Sequence, residues 1–175
     1  VGSAAIPLYT TTIQGNTMGR DWALIGGEID WTIVPSFMIF ANYDFMINLA
    51  HFKGHQMGGF GGVLKNASIG VASSSGKAYI HSAGITTDVK KMWRHIDDQD
   101  GFLESMAAAA QGVHNYFGGG ERILYINVMN NMSIDCDCNA HPAAPELKDM
   151  GILASTDPVA LDQACLDLVF NHENK

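Results

Sequence analysis

The amino-acid sequence predicts an α/β fold, a single domain in which helices flank a mixed or largely parallel sheet. Strand-like and helix-like segments alternate along the chain, which is the pattern typical of this class. The length of 175 residues lies in the single-domain range, and the composition, 47% hydrophobic and 16% charged, indicates a substantial core. We therefore expect residues 1–175 to form one domain, although residues 1–42 are poorly assigned.

The first predicted elements are short. The segment Phe45–Leu49 predicts a buried strand because it is a brief, mostly apolar run. It leads into the glycine-rich segment His51–Gly62, for which we expect loop geometry. Further along, Gly62–Gly70 predicts a short helix, and Lys77–His81 predicts a second short strand.

The longest predicted helix spans about Gly101–Phe117, where apolar residues recur at steps of three and four. Asp98 or Asp100 can cap its first turn, and Gly118 can end it. The next segment, Ile123–Met129, is strongly apolar and predicts a strand.

The last predicted elements are a strand over Ile152–Ala154 and a helix over 158–171. Asp157 supplies the N-cap of this helix, and Pro158 occupies its first position. Cys165 shares the apolar face of the helix, so we interpret it as a small core residue.

Charge and hydropathy exclude several classes of function. The net charge is −8 with only ten Lys and Arg residues, which argues against binding to nucleic acid or to anionic membrane surfaces. No apolar run reaches the length of a membrane span, so we expect a soluble protein. Cys136 and Cys138 are too close in sequence for a relaxed disulfide, and reduced cysteines are typical of the cytoplasm.

The segment His51–Gly62 contains two histidines, a lysine and five glycines in twelve positions. Glycines weaken regular structure but allow a ligand to approach the backbone closely. Imidazole and amine groups can transfer protons, so His51, His55 and Lys53 are the candidate catalytic residues. The candidate ligands for a carboxylate or phosphate are Gly58, Gly59, Gly61, Gly62 and Lys65, with a helix starting near Gly62 adding its positive end. A tight glycine turn with solvated lysines is the alternative.

A second cluster, Asp135–Cys138, follows the strand over Ile123–Met129. In an extended segment the side chains of Cys136 and Cys138 project to the same side, which suits a soft metal such as zinc, copper(I) or iron. His141, together with Asp135 or Asp137, could complete the ligand set. The alternative is a polar loop with reduced, packed thiols.

Several of these segments together resemble the domain of unknown function 362 family: Tyr43–Phe45, His51–His55, Gly58–Asn66, Asp135–Cys138 and Asp149–Asp162. The resemblance runs from about residue 43 to the end. It implies a prokaryotic protein often associated with iron–sulfur proteins, because many relatives carry an attached ferredoxin-like module. This chain has no Cys-x-x-Cys-x-x-Cys run, so we expect no iron–sulfur cluster in it.

The leading functional hypothesis is a metal or anionic-ligand site, with some redox association, built from the His51–Gly62 and Asp135–His141 segments. Lys53 and Lys65 would hold a small anionic ligand, and a zinc or iron ion would bind the thiols. The competing hypothesis is a non-catalytic binding or electron-transfer module without metal, whose partner is a redox protein. A redox-active thiol pair is a third reading. Whether the protein is an enzyme stays open.

Overall fold

A computed structural model describes residues 43–137, 139 and 141–172, together with two short strands, β1 (Ile13–Gln14) and β2 (Thr32–Ile33). These two strands pair antiparallel. Contacts between Cα atoms divide the chain into two compact units, residues 1–43 with 69–109 and residues 44–68 with 110–175. The expectation of one domain over the whole chain stays a prediction.

The remaining elements confirm the predicted α/β class. In chain order they are β3 (Met46–His51), β4 (Lys53–His55), β5 (Gly59–Gly61), α1 (Val63–Lys65), α2 (Ser74–His81), α3 (Gln99–Tyr116), β6 (Ile123–Met129), β7 (Gly151–Ser155) and α4 (Pro158–Phe170). A π-helical turn, Asn66–Gly70, extends α1, and a 3-10 turn, Met92–Arg94, precedes α3.

A mixed three-stranded sheet forms the centre of the second unit. Its strand order is β3–β6–β7, with β3 parallel to β6 and β7 antiparallel to β6. One face carries buried side chains, among them Ile123, Tyr125 and Met129, each 0% exposed. Alternate residues of a strand point to opposite faces, and the other face carries exposed apolar side chains: Ile47, Leu49 and Ile152.

The predicted strand over Lys77–His81 is wrong, because these residues form the second half of α2. The Ser73 side chain caps this helix by accepting a hydrogen bond from the Gly76 N–H at 3.0 Å. The run Ala78–Ile80 is too short for its apolar character to distinguish a strand from a helix, and the cap decides the outcome.

The caps predicted for the two long helices are confirmed. Asp98 Oδ1 accepts a hydrogen bond from the Gly101 N–H at the start of α3, and Gly118 ends the helix with a φ of 78°. Asp157 Oδ1 accepts hydrogen bonds from the N–H groups of Val159 and Ala160 at the start of α4. Cys165 is 0% exposed, as its predicted core position requires.

Within the described part of the chain, no helix has both the length and the apolar character that crossing a bilayer requires.

Candidate functional site

The glycine-rich segment is a β-hairpin, not the loop expected from sequence. Strands β4 and β5 pair antiparallel, with Lys53 opposite Gly61 and His55 opposite Gly59. The His55 Nδ1 atom accepts a hydrogen bond from the Gly58 N–H at 2.9 Å, which fixes the turn between the strands. Gly59 has a φ of 75°, a conformation that favours glycine. The glycines therefore make a tight turn compatible with regular pairing.

The hairpin lies directly against the segment that follows β6. The Gly54 N–H donates to the Ser133 carbonyl oxygen at 2.8 Å, and a Cβ atom at position 54 would overlap the carbonyl oxygen of Ile134. The two segments that the sequence analysis assigned to one site thus meet. The absence of a side chain at Gly54 is what permits this approach.

A polar cluster forms where the two segments meet. Asp137 lies between His51 and Lys53, with its Oδ1 3.0 Å from His51 Nδ1 and its Oδ2 2.8 Å from Lys53 Nζ. Lys53 Nζ also donates to the His51 carbonyl oxygen at 2.8 Å. The carboxylate therefore ties the end of β3 and the start of β4 to the loop after β6.

The hydrogen bonds of His51 occupy both of its ring nitrogens. Nδ1 contacts the Asp137 carboxylate, and Nε2 lies 2.7 Å from the carbonyl oxygen of Asn130. Both partners are acceptors, so both contacts are hydrogen bonds only when both ring nitrogens carry a proton. The Asp137 carboxylate and the Asn130 carbonyl oxygen thus fix the orientation of the imidazole ring.

The same contacts determine the acidity of Asp137. Burial would raise the pKa of this carboxyl group, but the hydrogen bonds and positive charges of Lys53 and His51 lower its pKa below the usual value. Asp137 therefore stays ionised at neutral pH.

A second lysine, Lys65, contacts the residue that directly precedes Asp137. Its Nζ atom donates to Cys136 Sγ at 2.9 Å, and Cys136 is buried, with 7% of its surface exposed. A Cβ atom at Gly61 would lie 3.3 Å from the Lys65 Cδ atom and 3.4 Å from the Lys53 Cε atom. The two lysine side chains thus both pass close to Gly61.

The predicted metal ligands are only partly brought together. Cys136 lies in the cluster, but Asp135 instead accepts a hydrogen bond from the Ala143 N–H at 2.8 Å. His141 is exposed, and no hydrogen bond of its ring to the cluster is found among the described residues. Cys138 lies outside the described residues. Among those that are described, no group of three His, Cys, Asp or Glu side chains could hold a metal ion.

Asp162 is not among the residues predicted from the sequence, yet it occupies the N-terminus of α1, where an anionic ligand was expected. Asp162 is buried and accepts hydrogen bonds from the N–H groups of Val63 and Leu64, both at 3.0 Å. A Cβ atom at Gly62 would overlap this carboxylate, so Gly62 accommodates Asp162. Burial raises the pKa of Asp162, and its hydrogen bonds partly oppose that rise.

Two buried asparagines complete the surroundings of α1. Asn127 on β6 donates to Asp162 Oδ1 at 2.7 Å, while Asn48 on β3 donates to the Val63 carbonyl oxygen at 3.0 Å. Polar residues at buried positions of apolar strands are the signal by which sequence alone could have found this network.

Comparison with known proteins identifies the family. The family model described as Domain of unknown function (DUF362) matches residues 25–167, so the chain belongs to this family, as its sequence motifs suggested. The comparisons with curated proteins and with solved structures found no match. The catalytic roles predicted for His51, His55 and Lys53, and the ligand contacts predicted for Gly58 and Gly59, stay predictions.

Proposed function

We propose that this protein binds a small anion, a phosphate or a carboxylate, at the lysine pair Lys53 and Lys65. The observation that carries this proposal is the convergence of the two side chains at Gly61. The whole chain has ten basic residues and a net charge of −8, so two lysine side chains that pass close to the same glycine form a local exception to its acidic character.

The charges of the cluster support the proposal. Lys53 is paired with Asp137, whereas Lys65 contacts a thiol, which is neutral unless it loses its proton. The Asp137 carboxylate pairs with Lys53 and also contacts His51, whereas no carboxylate pairs with Lys65 among the described residues. A bound anion would balance the excess positive charge.

The proposed anion is held by side chains, because the N-terminus of α1 is already occupied. The N–H groups of Val63 and Leu64 donate to Asp162, which removes them as contacts for a ligand. Gly61 contributes by leaving space beside both lysine side chains.

The test is isothermal titration calorimetry of the full chain with inorganic phosphate. We expect Lys53→Met and Lys65→Met each to weaken binding at least about tenfold, since hydrogen bonds to charged groups contribute roughly 1.5–3 kcal/mol. Lys148→Met is the matched control, because Lys148 is exposed and belongs to the same unit. Equal affinity in all four proteins would refute the proposal, and binding that does not weaken with added salt would contradict its electrostatic basis.

A zinc or iron ion bound through Cys136 and Cys138 is the second proposal. It is supported by the buried Cys136 thiol, which directly precedes Asp137, the residue that contacts the His51 imidazole. Elemental analysis of protein purified without chelators tests it, with the double variant Cys136→Ser/Cys138→Ser as the comparison. Metal lost in the variant would support thiol ligands. Equal metal content in both proteins would reject the thiols as ligands. Protein purified without any metal would favour the competing hypothesis, a non-catalytic module that binds a redox partner protein in the cytoplasm.

A further inference from the structure

A cavity of about 280 Å³ lies beside the hairpin, in the same unit as the lysine pair. Its walls come from the hairpin, from the segments after β6 and before β7, and from the last turns of α4. The apolar side chains that line it include Phe52, Phe60, Met132, Leu147, Leu166 and Val169. Ligand sites in proteins are typically apolar clefts of this kind with a few polar groups, and this volume is near the lower end of their usual range.

Lys53 connects this cavity to the polar cluster. It lines the cavity, and its ammonium group belongs to the cluster around Asp137. Its side chain is 11% exposed, and its contacts with His51 and Asp137 use two of three N–H donors. One donor therefore remains for a ligand among the described contacts.

The outer part of the cavity exposes large apolar side chains. Phe170 is 81% exposed and Ile134 is 61% exposed, and both line the cavity. A ligand with an apolar body would remove these surfaces from water, which favours binding in proportion to the area covered.

We infer that the ligand of this protein is an amphipathic anion, a small acid whose charged group contacts Lys53 and whose aliphatic or aromatic body fills the cavity. This inference rests on the proposed anion site and narrows its ligand class. Glu146 also lines the cavity, but its side chain is exposed to solvent, whereas that of Lys53 is largely buried. The charged group on the buried side of the cavity is therefore the positive ammonium group of Lys53.

The test is calorimetric titration of the full chain with acetate, butanoate and hexanoate. Each added CH₂ group should raise the affinity by about fourfold if it is buried in the cavity. Hexanoate should also compete with inorganic phosphate, since both would contact Lys53. Hexan-1-ol and hexylamine, which have the same chain without the negative charge, should bind at least about tenfold more weakly.

Two variants at neighbouring positions locate the binding. Val169→Trp should fill the cavity and weaken hexanoate binding at least tenfold, while Leu168→Trp, at an exposed position outside the cavity lining, should leave it unchanged. Phe170→Ser changes a surface side chain and should weaken hexanoate binding even if Val169→Trp disturbs folding. Phosphate binding should be the same in all of these proteins.

Each opposing result has a distinct meaning. Phosphate binding with equal affinities for acetate and hexanoate would overturn this inference and leave the anion site standing. Binding of hexan-1-ol or hexylamine as tightly as hexanoate would overturn the role of Lys53. Absence of binding by phosphate and by all three acids would overturn both the inference and the proposed function.

Discussion

The carboxylate of Asp162 lies at the N-terminus of α1, where it accepts hydrogen bonds from the N–H groups of Val63 and Leu64. A side chain of α4 thus completes the N-terminus of a helix that lies 99 positions earlier in the sequence. The same carboxylate receives the amide of Asn127, so α4, α1 and β6 share one buried polar contact.

We expect Asp162→Ala to reduce the free energy of unfolding by at least about 1–3 kcal/mol, because the substitution leaves buried donors without an acceptor. Asp157→Ala is the matched control on the same helix. It removes an exposed N-cap, and its expected loss is about 1 kcal/mol. Urea unfolding followed by circular dichroism measures both, and equal losses would contradict the central role of Asp162.

Gly54 is expected to tolerate no side chain. In Gly54→Ala the new methyl group would overlap the Ile134 carbonyl oxygen, so the hairpin and the loop after β6 would separate, with a loss of about 1–3 kcal/mol and of phosphate binding.

Gly61→Ala is the control for Gly54→Ala, because its methyl group would meet only the flexible ends of Lys65 and Lys53. It should unfold within about 1 kcal/mol of the wild type. Thermal unfolding compares the two variants, while phosphate titration is applied to Gly54→Ala alone because Gly61 borders the proposed anion site. A Gly54→Ala protein with unchanged stability would show that the close approach is unimportant.

The stability of the cluster should depend on pH through Asp137. The pKa of this carboxyl group is lowered in the folded protein, so the unfolded chain binds its proton more readily than the folded protein does. The contribution of the ionised group is therefore complete above its usual pKa of 3.8 and is lost as the pH falls through the lower folded value.

Asp137→Asn tests this dependence. The difference in unfolding free energy between wild type and variant should be constant from neutral pH to about pH 5 and should shrink on further acidification. Urea unfolding across this range measures it. A difference that stays the same down to pH 2, or grows on acidification, would contradict the predicted sign.

The two faces of the central sheet should respond differently to truncation. Ile123→Ala removes a side chain that is 0% exposed and should reduce the free energy of unfolding by roughly 2–5 kcal/mol. Ile152→Ala removes one that is 68% exposed and should change it by less than about 1 kcal/mol. Comparable losses measured by urea unfolding would show that the outer face is covered in solution.

Elements with strong local signals could be predicted from the sequence. The strand over Ile123–Met129 was predicted with its observed ends because seven consecutive positions are mostly apolar. The start of α4 was predicted from Asp157 and Pro158, a cap and first-turn residue that act within a few positions of each other.

Contacts between distant residues could not be predicted in the same way. Asp162 and Val63 are 99 positions apart, and nothing local indicates that one caps the other. Likewise, the sequence makes Asp135 and Asp137 equally good candidates for the metal-ligand set. In the folded loop the Asp137 side chain contacts His51 and Lys53, whereas the Asp135 side chain accepts a hydrogen bond from the Ala143 N–H. The conformation of this loop depends on its packing against the hairpin.

The meeting of the two site segments could be anticipated because each follows a strand of one sheet. Residues after β3 and after β6 lie at the same edge, since these two strands are parallel. The hairpin was not predicted, because five glycines in this segment indicate a loop. The pairing of Lys53 with Gly61 leaves no mark in the local sequence.

The parallel pairing of β3 with β6 sets an order of events during synthesis. Met46 pairs with Ile123, and the segment between them includes α2 and α3. At 5–20 residues per second, a ribosome needs roughly 4–15 s to make that segment. During this interval the nascent β3 and the glycine hairpin lack their partners, so the site can assemble only after β6 and the segment that follows it have been translated.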